Sequence, residues 1–280
     1  MNTIDISKIN YSALDRPEVL NFLFHPRPQP PPPPFQATDS AGLITHEKDI
    51  LIPVEDEVVI GARFHMAEKS GANLLFFHGN GEIVTDYDEL GPVYNQMGVN
   101  FLAVDYRGYG RSTGKPTVTA MMRDCHVIFE FVRNWLRQNN FPGPILLMGR
   151  SLGSASVLEL AAAGEDSTDG LIVESGFAYA APLLRLMGID LEAIGFKEEK
   201  GFRNIDKIRN FKKPTLIIHA EFDHIIPFPD GEALYNASSA PDKTFLKIPG
   251  ANHNDIFMRG LQEYLAAVKN IVERVKTNIQ

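Results

Sequence analysis

Residues 144–163 read PILLMGRSLGSASVLELAAA, and three local signals follow one another in this stretch. Its opening apolar run predicts a buried strand, and its closing Ala- and Leu-rich run predicts a helix. Between them lies the pattern G-x-S-x-G, which runs from Gly149 to Gly153 with Ser151 at its centre. Glycine is needed on both sides because a side chain there would clash with the neighbouring strand and helix. The stretch therefore predicts a nucleophilic serine at a helix N-terminus, where backbone N–H groups favour developing negative charge.

The same alternation extends along most of the chain. Six apolar runs are typical of strands covered on both faces: 73–77, 100–104, 144–148, 171–173, 214–219 and 244–248. Two β-like runs around a polar turn precede them and predict a hairpin, at 49–54 and 58–66. Helical patterns lie between and after the strands, at 87–97, 117–139, 152–163, 230–238 and 255–277. We expect an α/β fold with a doubly wound, mostly parallel eight-stranded sheet, helices on both faces and an antiparallel hairpin at one edge.

One long insertion interrupts this alternation. Residues 177–213 separate two predicted strands and contain many apolar side chains. An insertion of this length on an open α/β sheet predicts a short helical lid. Its apolar residues are expected to serve packing within the lid more than they serve as a wall for substrate.

The N-terminal part differs in composition from the rest. We expect residues 1–43 to be an extension and residues 44–280 to be the catalytic domain. The prolines concentrated between 26 and 34 allow neither a helix nor an inner strand, and they favour a stiff polyproline II arm. The arm could lie along the domain surface or could bind an aromatic-lined peptide-binding module. Its apolar neighbours favour packing on the domain.

Composition and charge exclude several classes of function. The net charge of −8 argues against nucleic-acid binding, which depends on neutralising phosphates, and against a polybasic membrane anchor. No run of about 18 apolar residues predicts a membrane span, and the first residues do not resemble a secretory signal. The single cysteine, Cys125, can form neither an intramolecular disulfide nor a Cys-based metal site. We expect a cytoplasmic protein with neither metal nor organic cofactor.

A serine nucleophile needs a base, and His253 is the best candidate among eight histidines. It follows the last predicted strand, in a loop at the carboxyl edge where sites of open α/β sheets form. Asp223, after the preceding strand, is the expected acid that orients the imidazole and stabilises its charged form. Glu221 and the better placed Glu174 remain alternatives for the acid, and His224 remains one for the base.

The turn after the predicted strand 73–77 reads HGNGE and is rich in glycine. Such a turn can direct a backbone N–H at a developing oxyanion. The expected donors are the N–H groups of Asn80 and Leu152, with Gly81 left open as the alternative to Asn80. His78 is expected to be structural.

These motifs together resemble a known family. In order along the chain they are His78-Gly79-Asn80-Gly81, Asp105-Tyr106-Arg107-Gly108-Tyr109-Gly110-Arg111-Ser112, Gly149-Arg150-Ser151-Leu152-Gly153, Asp223 and His253. The set resembles the α/β-hydrolase superfamily, and within it the serine-aminopeptidase-like branch that includes protein depalmitoylase relatives. The resemblance covers about residues 44–277. It implies the triad roles argued above, in the chain order Ser, Asp, His, and implies no peptidase activity by itself.

The sequence thus predicts a serine hydrolase that cleaves an ester, thioester or related acyl bond through an acyl-enzyme intermediate. The mostly apolar lid favours a small-molecule substrate with an apolar acyl or aryl group. An amidase, peptidase or acyltransferase would use the same residues, so these activities remain open. A ligand-binding protein on the same fold is a further alternative, although a pure binder has no need of Asp223 and His253.

Overall fold

The structure, a computed structural model, describes residues 5–30, 47–164 and 167–279. Its strands are β1 (Glu47–Glu55), β2 (Val58–His65), β3 (Ala72–Phe77), β4 (Val99–Val104), β5 (Ile145–Arg150), β6 (Gly170–Glu174), β7 (Thr215–Ala220) and β8 (Lys243–Ile248). Its α-helices are α1 (Pro17–Leu23), α2 (Leu90–Gln96), α3 (Val118–Gln138), α4 (Gly153–Ala163), α5 (Ala180–Leu186), α6 (Asn204–Arg209), α7 (Phe228–Ala237) and α8 (Ile256–Ile279). Every predicted strand is present.

All the strands join one sheet in the order β1-β2-β4-β3-β5-β6-β7-β8. The β1–β2 hairpin is antiparallel and β2 runs antiparallel to β4, whereas the strands from β4 to β8 are parallel. The predicted doubly wound, mostly parallel sheet with an antiparallel edge is therefore confirmed.

Helices cover both faces of the sheet, and alternate side chains of a strand enter opposite cores. In β3, Leu75 and Phe77 pack in one hydrophobic cluster with residues of α3 and α4. Their neighbours Leu74 and Phe76 pack in a second cluster with residues of α2 and α8. Burial on both faces explains why the strand sequences are almost continuously apolar.

The strand order reverses at β3. From there the chain moves outward to β4, and it then returns across β3 to begin β5 on the other side. Phe77 at the end of β3 is paired with Gly149 near the end of β5. The loops that follow these two strands therefore lie side by side, at the kind of switch point where open α/β sheets bind ligands.

The insertion at 177–213 contains the short helices α5 and α6 and a 3₁₀ turn at Glu198–Lys200. Helix α6 packs against α4, the helix that follows the Ser151 turn. Leu184 and Ile208 of the insertion are fully buried in the cluster that also contains α3 and α4 residues. The insertion is thus helical and joined to the core.

The N-terminal segment, described from residue 5 to residue 30, also joins this core. Leu14 and Val19 are fully buried, and Leu23 is nearly so. Pro28 forms a β-bridge with Gly110 of the domain. The prolines at 31–34 and the domain boundary predicted at 43/44 lie outside the described residues.

Candidate active site

The turn that presents Ser151 is crowded and strained. Ser151 has a φ of +50°, a left-handed conformation that side-chain-bearing residues adopt mainly at constrained sites. Its N–H donates to the carbonyl of Glu174 at 2.9 Å, which ties the turn to the end of β6. A Cβ at Gly149 would lie 2.4 Å from the carbonyl oxygen of Gly153, and one at Gly153 would lie 2.0 Å from that of Phe77. Close backbone approach therefore requires both glycines.

His253 and Asp223 lie together at the carboxyl edge of the sheet. The Nδ1 of His253 is 2.7 Å from Oδ2 of Asp223, and both residues are buried. The other carboxylate oxygen accepts the backbone N–H groups of Ile225 and Ile226, at 3.0 and 2.8 Å. Burial opposes ionisation of Asp223, but the hydrogen bond and charge of His253 outweigh it and hold the pKa of the carboxyl below its ordinary value. Asp223 is therefore an ionised, oriented acceptor for the imidazole.

The alternative acids and base have other surroundings. Glu174 accepts a hydrogen bond from Arg150 at 2.9 Å. Glu221 accepts one from Lys247 at 2.9 Å on the surface, and His224 is exposed. The carboxylate that the structure places on the imidazole is thus the one in the loop after β7.

Ser151 and His253 line the same cavity, which measures about 340 Å³. That volume lies in the range of small-molecule sites. Asn80 and Leu152, the expected oxyanion donors, line it as well. Its apolar lining comes from the insertion, the N-terminal segment and the loop after β7. These residues are Phe177, Leu183, Met187, Phe22, Leu23, Ile225 and Ile226.

The turn after β3 leaves backbone donors available beside Ser151. Gly81 adopts a φ of +76°, a conformation in which glycine is favoured. Within the described residues, no hydrogen bond engages the backbone N–H of Asn80 or of Leu152. Both N–H groups therefore have no partner among these residues, and both residues line the cavity.

His78 is bonded to this turn through the carbonyl group of Gly79. It is fully buried, with Nε2 3.1 Å from Oδ1 of Asp105 and Nδ1 2.8 Å from the carbonyl oxygen of Gly79. Burial opposes protonation, but the carboxylate of Asp105 outweighs it and raises the pKa of His78. Both ring nitrogens face acceptors, so a charged imidazole satisfies both.

A buried charge network lies under the candidate site. Arg150, the residue before the serine, donates to Glu82 and to Glu174 at 2.9 Å each. Its remaining terminal nitrogen donates to the carbonyl of His253 at 3.0 Å. Tyr264 donates to the second oxygen of Glu174 at 2.7 Å. One guanidinium therefore connects the Ser151 turn, the turn after β3 and the loop of His253.

Sequence reasoning missed two of these residues. Arg150 occupies a variable position of its motif, and its partners become visible only when β3, β5 and β6 are adjacent. The sequence signal for this network was the presence of Glu82 after β3 and of Glu174 at the end of β6. His25 lines the cavity from the N-terminal segment, and nothing in its local sequence indicates that position.

Within the parts of the chain that the structure describes, no group of three or more His, Cys, Asp or Glu side chains could hold a metal ion. In the same residues, no helix is both long enough and apolar enough to cross a membrane.

The chain resembles known hydrolases in sequence. Residues 68–192 match the family model described as Hydrolase_4, serine aminopeptidase S33. The chain is 32% identical over 216 residues to alpha/beta hydrolase domain-containing protein 17B of Homo sapiens, covering 74% of this chain and 68% of the relative.

Solved structures share the fold. The Pyrococcus furiosus esterase Pf2001 aligns with a TM-score of 0.64 at 20% identity, covering 81% of this chain and 92% of that one. The Paleococcus ferrophilus monoacylglycerol lipase aligns with a TM-score of 0.61 at 20% identity, covering 76% and 98%.

Proposed function

The chain belongs to the α/β-hydrolase superfamily, a family of hydrolases, and we propose that it is a serine hydrolase acting on an ester, thioester or related acyl bond. The observation that carries the proposal is the arrangement of three residues from three loops. Ser151 and His253 line one cavity, and the imidazole of His253 is held by Asp223 at 2.7 Å.

The proposed reaction begins with proton transfer. Because Nδ1 of His253 faces an ionised carboxylate, the ring carries its proton there and leaves Nε2 free to accept one. His253 takes the proton of the Ser151 hydroxyl as the oxygen attacks the substrate carbonyl. Asp223 stabilises the imidazolium that forms, and the imidazolium then protonates the leaving group. Water activated by the same histidine releases the acyl group from Ser151 and regenerates the enzyme.

The negative oxygen of the tetrahedral intermediates needs hydrogen-bond donors. We assign this role to the backbone N–H groups of Asn80 and Leu152, which have no other partner in the described residues. They belong to two turns held by packed strands, so they need little reorganisation during the reaction. Gly81 remains the alternative donor within the first turn.

The cavity wall supports an apolar acyl or aryl substrate. Leu183 and Met187 of the insertion face the same cavity as Ser151, so we propose that the insertion is a lid over the acyl group. The related protein 17B supports the family, and the structural neighbours support the fold. The proposal that the acyl or aryl group is apolar rests on the lining of this cavity alone. The cytoplasmic location expected from the sequence stays a prediction.

The test is turnover of p-nitrophenyl esters from acetate to palmitate by wild-type protein and by Ser151→Ala. We expect turnover that the substitution reduces to background while the melting temperature stays similar. Site-specific labelling of Ser151 by a fluorophosphonate probe is the second readout. Labelling that survives Ser151→Ala overturns the assignment of the nucleophile. Tight ligand binding with no turnover would instead favour the binding-protein alternative.

A further inference from the structure

The N-terminal segment reaches the proposed acyl pocket. Phe22 and Leu23, at the end of α1, line the cavity together with Ser151. Leu23 is 2% exposed, whereas Phe22 is 45% exposed. Leu23 therefore anchors this end of the helix, and Phe22 stands at the boundary between the cavity and solvent.

The segment is fixed on both sides of the cavity. Before it, the backbone N–H of Tyr11 donates to Oγ1 of Thr119 at 2.9 Å, and the tyrosine hydroxyl donates to Glu159 at 2.7 Å. After it, the N–H of Gln29 donates to the carbonyl of Gly110 at 2.7 Å. A wall held at both ends keeps its shape when substrate binds.

His25 contacts the side chain of the expected oxyanion residue. The backbone N–H of His25 and the hydroxyl of Tyr109 both donate to Oδ1 of Asn80, at 2.8 and 2.7 Å. Because that oxygen accepts both bonds, the amide nitrogen of Asn80 faces the imidazole, where it donates to Nδ1 of His25 at 2.8 Å. The Asn80 side chain is thus fixed from two sides by one residue.

Arg27 holds the next residue of the same turn. Its guanidinium donates to the carbonyl of Gly81 at 3.0 Å and to Asp86 at 2.6 Å. His25 and Arg27 therefore contact two successive residues, Asn80 and Gly81, of the turn that contains the proposed oxyanion donor.

We propose that residues 22–27 are part of the active site, and this proposal rests on the proposed function. Phe22 determines specificity by bounding the pocket for the acyl chain. His25 is a positioning residue that holds the Asn80 turn in the geometry needed to bind the oxyanion. The substrate class is an acyl ester or thioester whose chain extends toward the N-terminal segment.

The pocket role is tested by a pair of substitutions with opposite effects on volume. Phe22→Ala should raise the ratio of kcat/KM for p-nitrophenyl decanoate over butyrate by at least about fivefold. One methylene group more or less in an apolar pocket changes kcat/KM by about tenfold or more. Phe22→Trp should lower that ratio. Leu51→Ala is the matched control, because Leu51 is exposed on β1 and lies outside the cavity lining.

The positioning role of His25 is tested by substitutions that remove or restore the hydrogen-bond acceptor at residue 25. His25→Leu removes the acceptor for the amide of Asn80 and should lower kcat about tenfold, less than complete loss of an oxyanion donor, with KM changed less than about twofold. His25→Asn places an oxygen near the position of Nδ1 and should restore most of kcat. Equal melting temperatures separate this effect from loss of folding.

Ser151→Ala, measured beside every variant, separates the two levels of the proposal. Absence of Ser151-dependent turnover overturns the proposed function and this inference with it. Ser151-dependent turnover, with the chain-length profile unchanged in both Phe22 variants and kcat unchanged in His25→Leu, overturns this inference alone. Because Phe22 is half-exposed, Phe22→Ala and Phe22→Trp should fold even if His25→Leu does not. The ratio of kcat/KM for decanoate over butyrate in these two variants then tests the inference.

Discussion

Replacing Arg150 by methionine should lower the free energy of unfolding by about 3–5 kcal/mol at neutral pH, because it leaves the buried Glu174 and the partly buried Glu82 without their cation. The arginine side chain is 10% exposed, and its partner Glu174 is 1% exposed. Glu82, the second partner, is 25% exposed. After the substitution, Glu174 keeps the hydroxyl of Tyr264 as a donor but no neutralising charge. For a chain of 280 residues, whose unfolding entropy is about 0.6 kcal/mol/K, the loss corresponds to a fall in melting temperature of roughly 5–9 °C.

The size of the effect should depend on pH. Burial opposes ionisation of Glu82, but the charge of Arg150 and the hydrogen bond of Tyr87 outweigh it and lower the pKa of the carboxyl. A carboxyl group whose pKa is lower in the native state than in the unfolded state stabilises the native state at pH values above the unfolded pKa. This stabilisation is lost as the pH falls through the native pKa. The difference in the free energy of unfolding between wild type and Arg150→Met should therefore be largest near pH 7 and should shrink below about pH 4.

The assay is thermal and urea unfolding of wild type, Arg150→Met and Arg150→Lys across that pH range. Arg133→Met is the matched control, because Arg133 pairs with the 60% exposed Glu130 on α3. Its loss should cost less than about 1 kcal/mol at any pH. Arg150→Lys keeps the charge but not the three directed bonds, so it should fall between wild type and methionine. A methionine variant as stable as the control, or a pH-independent loss, would refute the assignment of a charge network.

Three further predictions concern the acid, the nucleophile turn and the cysteine. Asp223→Asn should lower kcat by about 10³–10⁴ with the fold intact, and an ester assay within tenfold of wild type would show that another group orients His253. Gly153→Ala places a Cβ 2.0 Å from the carbonyl oxygen of Phe77, so it should cost more than about 3 kcal/mol in urea unfolding. Among the described residues, a Cβ at Gly164 meets nothing closer than 3.8 Å, so Gly164→Ala should stay within about 0.5 kcal/mol. Similar losses at the two glycines would contradict the steric argument. Burial raises the pKa of the Cys125 thiol well above its ordinary value, so iodoacetamide should label it slowly until urea unfolds the chain. Equal labelling rates in native and unfolded protein, measured by mass spectrometry, would show that the thiol is accessible.

Local signals predicted most of the fold. The long helix predicted at 117–139 spans Val118–Gln138, because its apolar spacing and the N-cap of Thr117 are encoded in neighbouring residues. The helix predicted at 87–97 begins later, at Leu90, because a 3₁₀ turn at Val84–Tyr87 precedes it. The described structure places the strands near their predicted positions for the same reason, since burial on both faces requires a continuous apolar run.

The amino-acid sequence is sufficient to predict the sheet, the serine turn and the loops from which His253 and Asp223 come. These depend on apolar runs, glycines and chain order, which are properties of adjacent residues. Which side chains contact one another across the sheet depends on the folded structure. Arg150 contacts Glu82 and His253 across 68 and 103 residues, and His25 reaches Asn80 across 55. Such contacts follow from the strand order and from the packing of the N-terminal segment, and no local pattern encodes the distance between side chains that the sheet brings together.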